Sequence, residues 1–197
     1  MGNDLGPHPW RHMPPDREPA PGALRLVEAF VNTVNHERAV DAIATDAGLR
    51  GWLVEFGLDR ACGTIGSGDV AAAGEVREAI RALLRTNAGA ALDPAAVAVL
   101  DRAADRTAMT LRFGAGGSRI VARGLGIDAV LGLLLGIVHD AIHDGSFGRL
   151  RSCRNERCAW AFYDRSRNLS ASWCSMAICG NRMKIRSYRS RKAAALP

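Results

Sequence analysis

Lysine is nearly missing from this chain: of its 26 cationic side chains only 2 are Lys, the other 24 being Arg. The substitution runs the whole length, so it reads as the mark of a GC-rich genome rather than of a function. Long apolar runs are absent too. The best, Ala129 to Val138, is broken by Gly132 and Gly136 and flanked by Asp128 and by His139-Asp140. It is too short and too polar at its ends for a membrane span. Residues 1–22 lack the apolar core of a secretory signal and hold six of the eight prolines, so no export is expected and the protein is placed in the cytoplasm. Catalytic signatures are missing as well: there is no nucleophile motif, no metal-protease pattern and no dinucleotide fingerprint. The glycine run Gly114-Ala115-Gly116-Gly117 lacks the Gly-Lys-Ser/Thr ending and following helix of a phosphate loop. The chain is not expected to be an enzyme.

Acidic residues are scarce at one end. From Arg149 to Pro197 there are twelve Lys and Arg against two acids, a net +10, whereas residues 1–148 hold 14 basic and 18 acidic side chains, a net −4. Such asymmetry points to a polyanionic partner for the C-terminal end alone. A length of 197 residues allows one ordinary domain and a small module.

Four of the five cysteines lie in that basic end, spaced Cys153-x4-Cys158, then fifteen residues, then Cys174-x4-Cys179. Two close thiol pairs joined by a loop suit two knuckles closing on a single tetrahedral ion, zinc by default. Two disulfides or an iron–sulfur cluster are the alternatives the spacing leaves open. With four thiolates no coordination position remains for water, so a metal here is structural rather than catalytic. Ala159 to Tyr163 is β-prone and expected beside the first knuckle. Ser175 can cap a helix running through Cys179 to about Arg191. On it Arg182, Arg186 and Arg189 fall on one face and Lys184 and Arg191 on a second stripe, leaving Ile178, Ile185 and Tyr188 for packing. A zinc-anchored helix bearing arginines suits the DNA major groove, where Arg contacts phosphates and reads guanine. Base stacking on Trp160, Tyr163 or Trp173 would instead favour unpaired strands.

Upstream, residues 1–22 read as a disordered, proline-rich arm; His8 and His12 within it are incidental rather than a second metal site. Leu24 to Arg38 has helical apolar spacing. Asp46 can cap a helix ending at Gly57, with Trp52 and Leu53 toward the core. A helix from Ser67 or Asp69 would bury Val76, Ile80, Leu83 and Leu84 and leave Arg77, Arg81 and Arg85 as a solvated stripe. Asp93-Pro94 opens another. Thr107–Phe113 and Ser118–Arg123 flank the glycine run as a β-hairpin with Met109, Leu111 and Phe113 on one side. Gly126–Asp144 is the strongest helix, its broad apolar face including Ile142. His139 and His143 near its C-terminus are expected to be exposed or hydrogen-bonded, and Cys62 to be a small core residue.

The run Cys174-Ser175-Met176-Ala177-Ile178-Cys179-Gly180-Asn181-Arg182, with Trp173 before it and Phe162-Tyr163-Asp164 upstream, resembles the CGNR zinc-finger family. Its members pair such a finger with an N-terminal alpha-beta stress domain, the ABATE domain, and are held to be stress-induced transcriptional regulators, mostly bacterial. Phe30-Val31-Asn32-Thr33 and Leu49-Arg50-Gly51-Trp52-Leu53 carry the looser N-terminal likeness, over about residues 24–145. The family often has a basic pair where Ala171-Ser172 stand here, which counts against the inter-knuckle loop touching phosphate. The resemblance implies a DNA-binding regulator with one structural zinc on Cys153, Cys158, Cys174 and Cys179. The N-terminal domain would take a small-molecule or stress signal or mediate homodimerisation; a zinc-dependent protein- or RNA-interaction module is the alternative. The expected architecture is α+β: a disordered arm 1–22, a mostly helical domain 23–147 with a small hairpin, and a treble-clef-like Cys₄ finger 148–197 ending in a basic helix.

Overall fold

The computed structural model describes Pro14 and residues 17–115 and 117–194. Six α-helices and three separate antiparallel hairpins make up its regular structure: α1 Leu24–Val31, β1 Val34–Asn35, β2 Val40–Asp41, α2 Asp46–Glu55, α3 Ser67–Thr86, α4 Pro94–Arg106, β3 Thr110–Gly114, β4 Gly117–Val121, α5 Ile127–His143, β5 Leu150–Ser152, β6 Ala161–Tyr163 and α6 Asn181–Ala194. It is the expected α+β arrangement, with a terminal cysteine cluster and helix.

Local signals set most boundaries. The Thr45 hydroxyl caps α2 by accepting from the Gly48 amide, so the cap lies one residue before Asp46, and Gly57 at φ +67° ends the helix in the left-handed region. The Asp69 carboxylate accepts from the Gly66 amide at the start of α3, and Asp93 caps α4 with Pro94 in its first turn. Helix α1 stops at Val31, short of the expected Arg38. Asn32 and Thr33 divert their side chains, Thr33 back to the Phe30 carbonyl and Asn32 to a distant strand, and the chain turns into the β1–β2 hairpin.

The main core lies among α1, α2, α3 and α5, with Val27, Phe30, Trp52, Leu53, Ile80, Leu84, Leu131 and Leu134 fully buried. Phe30 and Trp52 pack at a ring separation of 5.2 Å. Cys62 is buried in this core, where desolvation pushes its thiol up. Hairpin β3–β4 rests on α5, and Gly132 permits the approach: a Cβ there would sit 2.3 Å from the Ala122 Cβ and 2.9 Å from the Thr107 Cβ. Ile142, expected on the buried face, is instead exposed, although the preceding Ala141 is buried.

Two further expectations are corrected. Arg77 and Arg81 are not a solvated stripe: both are buried, and only Arg85 of the three is exposed. Arg77 forks onto both Asp41 oxygens at 2.7 Å, and Glu78 receives one guanidinium nitrogen from each arginine at 2.9 Å. Burial of a charge this complete requires such partners. Of the expected disordered arm, the described part from Arg17 is docked: Ala20 is buried, its amide donates to Glu28 at 2.6 Å, and the Pro19 carbonyl accepts from Arg165. His8 and His12 lie outside the described residues.

The C-terminal part does not stand apart from this core. Successive side chains of a strand point to opposite faces. Ala161 and Tyr163 of β6, with Leu150 of β5, join the main cluster, while Phe162 joins a second cluster with Trp160, Cys153, Cys174 and Cys179. One hairpin therefore serves two cores.

Candidate metal centre and basic helix

Strand β5 delivers Cys153, whose amide donates to the Trp160 carbonyl at 2.9 Å. Between them the chain makes a tight turn: the amides of Cys158 and Ala159 both donate to the Asn155 carbonyl, and Ala159 takes φ +48°. The second knuckle begins at Cys174. Ser175 caps a wide turn, Met176–Gly180, by accepting from the Ile178 amide, and this turn runs directly into α6. Gly180 follows Cys179 because a Cβ there would lie 2.7 Å from the Met176 sulfur and 3.3 Å from the Trp173 ring. The Asn181 side chain then donates to the Ala177 carbonyl, and Arg182 pairs with Glu37 in the β1–β2 turn. Each letter of the Cys-Gly-Asn-Arg string has a structural duty.

The four sulfurs converge. Cys158 and Cys174 lie 3.6 Å apart, Cys174 and Cys179 3.7 Å, and all four ligand atoms fall within 4.8 Å of one another. A tetrahedron with Zn–S bonds of about 2.3 Å has edges of about 3.8 Å, so the set fits one tetrahedral ion. Thiol–thiol hydrogen bonding holds Cys153 far below its ordinary value, with Cys158 and Cys174 as donors, and drives those two thiols far up. Four thiolates so close cannot all be charged without a cation among them. Amides of Cys174 and Asn155 point at the Cys153 sulfur, and the Asn155 side chain donates to Cys179 at 3.6 Å. These donors are the outer shell expected of a thiolate site. Among the described residues this is the one group of three or more candidate metal ligands. His139 and His143 stack at 4.0 Å, and the His143 Nδ1 donates to the His139 carbonyl, as the hydrogen-bonded reading expected.

Sequence reading missed the residues that hold the finger in shape. Asp164 is fully buried. Burial would raise its carboxyl, yet the amides of Ser166 and Ala171 at 2.9 Å and Arg151 at 3.3 Å keep it below the ordinary carboxylate value. Arg151 also donates to the carbonyls of Ala171 and Asn87, so one guanidinium ties the inter-knuckle loop to the end of α3. Arg17 donates to the carbonyls of Trp173 and Cys174, both at 2.9 Å, and lies 4.8 Å over the Phe162 ring. The hint was an acid, Asp164, beside the β-prone run in a segment almost devoid of acids.

The contacts to the N-terminal part are equally specific. The Asn32 amide donates to the Ala161 carbonyl at 2.9 Å and accepts from its N–H at 2.8 Å, completing strand β6 as a neighbouring strand would. Asn87 donates to the carbonyls of Phe147 and Leu150, and Arg154 to that of Ala88.

Helix α6 projects from this base. Arg182, Lys184, Arg186, Arg189 and Arg191 are all exposed and α6 itself holds no acid, although Arg182 is paired with Glu37 of the β1–β2 turn. Ile178 in the Met176–Gly180 turn and Ile185 and Tyr188 on α6, expected to pack, are instead 39%, 53% and 62% exposed. Trp160 and Tyr163 are buried, and Trp173 is half-buried.

A hairpin knuckle, a second knuckle at a helix start and four convergent sulfurs define a Cys₄ zinc finger carried on a mostly helical α+β body. Two family models match: the CGNR zinc finger over residues 149–192, and ABATE, "Putative stress-induced transcription regulator", over residues 24–143. The chain belongs to the ABATE family, with a CGNR zinc finger at its C-terminal end, and the metal its four cysteines are placed to bind is zinc. No curated protein matches the chain. No helix among the described residues is long and apolar enough to cross a membrane.

Proposed function

We propose that this protein is a bacterial, cytoplasmic, DNA-binding transcriptional regulator. Residues 148–197 make the DNA contact, and residues 23–147 receive a stress or small-molecule signal or pair two copies. One observation supports this above the rest: α6 is an exposed, acid-free basic helix fixed at its root to the metal ligand Cys179. Arg182, Arg186 and Arg189 on one face, with Lys184 and Arg191 beside it, supply phosphate contacts and base readout. Zinc on Cys153, Cys158, Cys174 and Cys179 holds the helix root and performs no chemistry in this reading. The function needs no catalytic step, and both matched families are of regulator or zinc-finger type.

The alternative, a protein- or RNA-interaction module, has less to work with. Burial of Trp160 and Tyr163 removes two of the three aromatic rings that could have stacked on unpaired bases. Titrating the zinc-loaded protein with random and genomic duplexes across a salt series tests the proposal. A sequence-reading regulator keeps a large preference for particular fragments as salt rises. Equal, steeply salt-dependent binding to every duplex would reduce α6 to a phosphate-tracking tail. Absent duplex binding with retained RNA or protein capture would favour the alternative.

A further inference from the structure

Hairpin β3–β4 carries charge that nothing among the described residues answers. Residues 107–127 contain Arg112, Arg119 and Arg123 and no acid, inside an N-terminal stretch that is otherwise acidic. The strand register sets Arg112 directly opposite Arg119. Like charges facing each other across an antiparallel pair destabilise it. The buried Arg77 and Arg81 have carboxylate or carbonyl partners, whereas all three hairpin arginines are exposed and none has a side-chain hydrogen bond or ion pair among the described residues. The nearest acid in sequence, Asp128, is taken by Arg106. Phe113, between Arg112 and the tip, is 83% exposed, and Leu111 is 54% exposed. At the tip, Gly117 at φ +107° turns the ribbon with no side chain to widen it.

A slim two-stranded ribbon with paired cations along it and an exposed aromatic ring near its end has the dimensions and charge of a groove-binding element. The major groove admits such a ribbon, and minor-groove binders combine arginine with apolar wedges such as Phe. We propose that β3–β4 is a second duplex-DNA contact, in which Arg112, Arg119 and Arg123 neutralise phosphates beyond those that α6 reaches. This rests on the reading of the chain as a duplex-binding regulator. The repulsion between Arg112 and Arg119, uncompensated in the free protein, is relieved when phosphates stand against both.

The test compares three full-length, zinc-loaded proteins: the parent, R112Q/R119Q/R123Q and R182A/R186A/R189A. Each is titrated against duplexes of several sequences between low and moderate salt, and thermal stability is measured alongside. The hairpin variant is expected to weaken binding to every duplex by a similar factor. It should lower the slope of log affinity against log salt by about 2–3, near 0.9 for each phosphate that is no longer neutralised. Its melting temperature should be unchanged or higher, because a like-charge pair has been removed, so weaker binding cannot be assigned to failed folding. An unchanged slope and affinity, with the α6 variant still losing its binding, would overturn the hairpin contact and leave the regulator reading standing. A parent protein that binds no duplex overturns both. A hairpin variant that keeps duplex binding but loses RNA or acidic-protein binding also overturns it.

Discussion

Arg81, in the last third of α3, donates a guanidinium N–H to the carbonyl of Ala159 in the first zinc knuckle at 2.6 Å. The same side chain, 1% exposed, also donates to the Val31 carbonyl at the end of α1 and to Glu78. A single charge thus joins the helical core, the end of α1 and the turn that presents two of the four cysteines.

Replacing Arg81 with Ala removes the guanidinium donor from the buried carbonyls of Val31 and Ala159, leaving Ala159 only the Ser152 hydroxyl at 3.2 Å; an unmet buried acceptor costs roughly 1–3 kcal/mol. The expected loss is about 2–4 kcal/mol in denaturant unfolding, with weaker zinc retention against a chelator. Arg81→Lys should recover little, since a point charge cannot fork between the two carbonyls. Unchanged zinc retention in Arg81→Ala would show that the knuckle does not depend on this contact.

Asn32 should tolerate no acid. In Asn32→Asp the donor to the Ala161 carbonyl becomes a carboxylate oxygen facing that carbonyl, in a position 2% exposed. A loss of about 2–4 kcal/mol is expected, greater than in Asn32→Ala, which removes the pairing without adding charge. Equal melting temperatures for the two variants would refute this ordering.

Glu28 gives stability a pH dependence. Burial pushes its carboxyl up to about 7, against the amides of Ala20 and Tyr163 and the charges of Arg165 and Arg25. The folded chain therefore holds this proton more tightly than the unfolded chain. The associated stability is fully present below pH 4.5 and is lost as pH rises through about 7. The difference reaches about 3 kcal/mol at the upper end. Glu28→Gln should flatten the unfolding free energy across this window and be the more stable protein at a pH of about 8. Parallel pH profiles for the two proteins would contradict this account.

Chelation should unfold the chain only in part. Structural zinc contributes on the order of 10–16 kcal/mol in isolated finger peptides. Here Leu150, Ala161 and Tyr163 already belong to the main core, while Cys153, Cys174 and Cys179 lie in the second. Removing the metal, or Cys174→Ser, should loosen the second cluster and α6, changing the fluorescence of Trp160 and Trp173. The helical circular dichroism from α1–α5 should remain. Complete loss of that signal would mean that the metal supports the whole molecule.

What the sequence announced and what it concealed divide along physical lines. The cysteines were legible because few residue types bind soft metals and knuckle spacing is narrow. Helix α5 and hairpin β3–β4 were legible because their apolar periods are strong and glycines mark the turns. Arg77 and Arg81 were not, because an arginine on a helix looks solvated until its acceptors are known. Those acceptors, Asp41, Val31 and Ala159, lie 36, 50 and 78 residues away. Ile185 and Tyr188 misled in the opposite direction: their spacing suggested packing, but both side chains are exposed.

Strand β6 is buried on both faces, its Ala161 and Tyr163 turned to one cluster and its Phe162 to the other. A finger cut out at residue 149 would carry a bare apolar face and an unmatched strand edge where Asn32 had been. Grafting it onto a foreign body would demand a matching amide, a buried guanidinium and a counterpart of Asn87. The two halves of this chain are thus not interchangeable parts, and the N-terminal half can be exchanged only together with the surface that seats the finger.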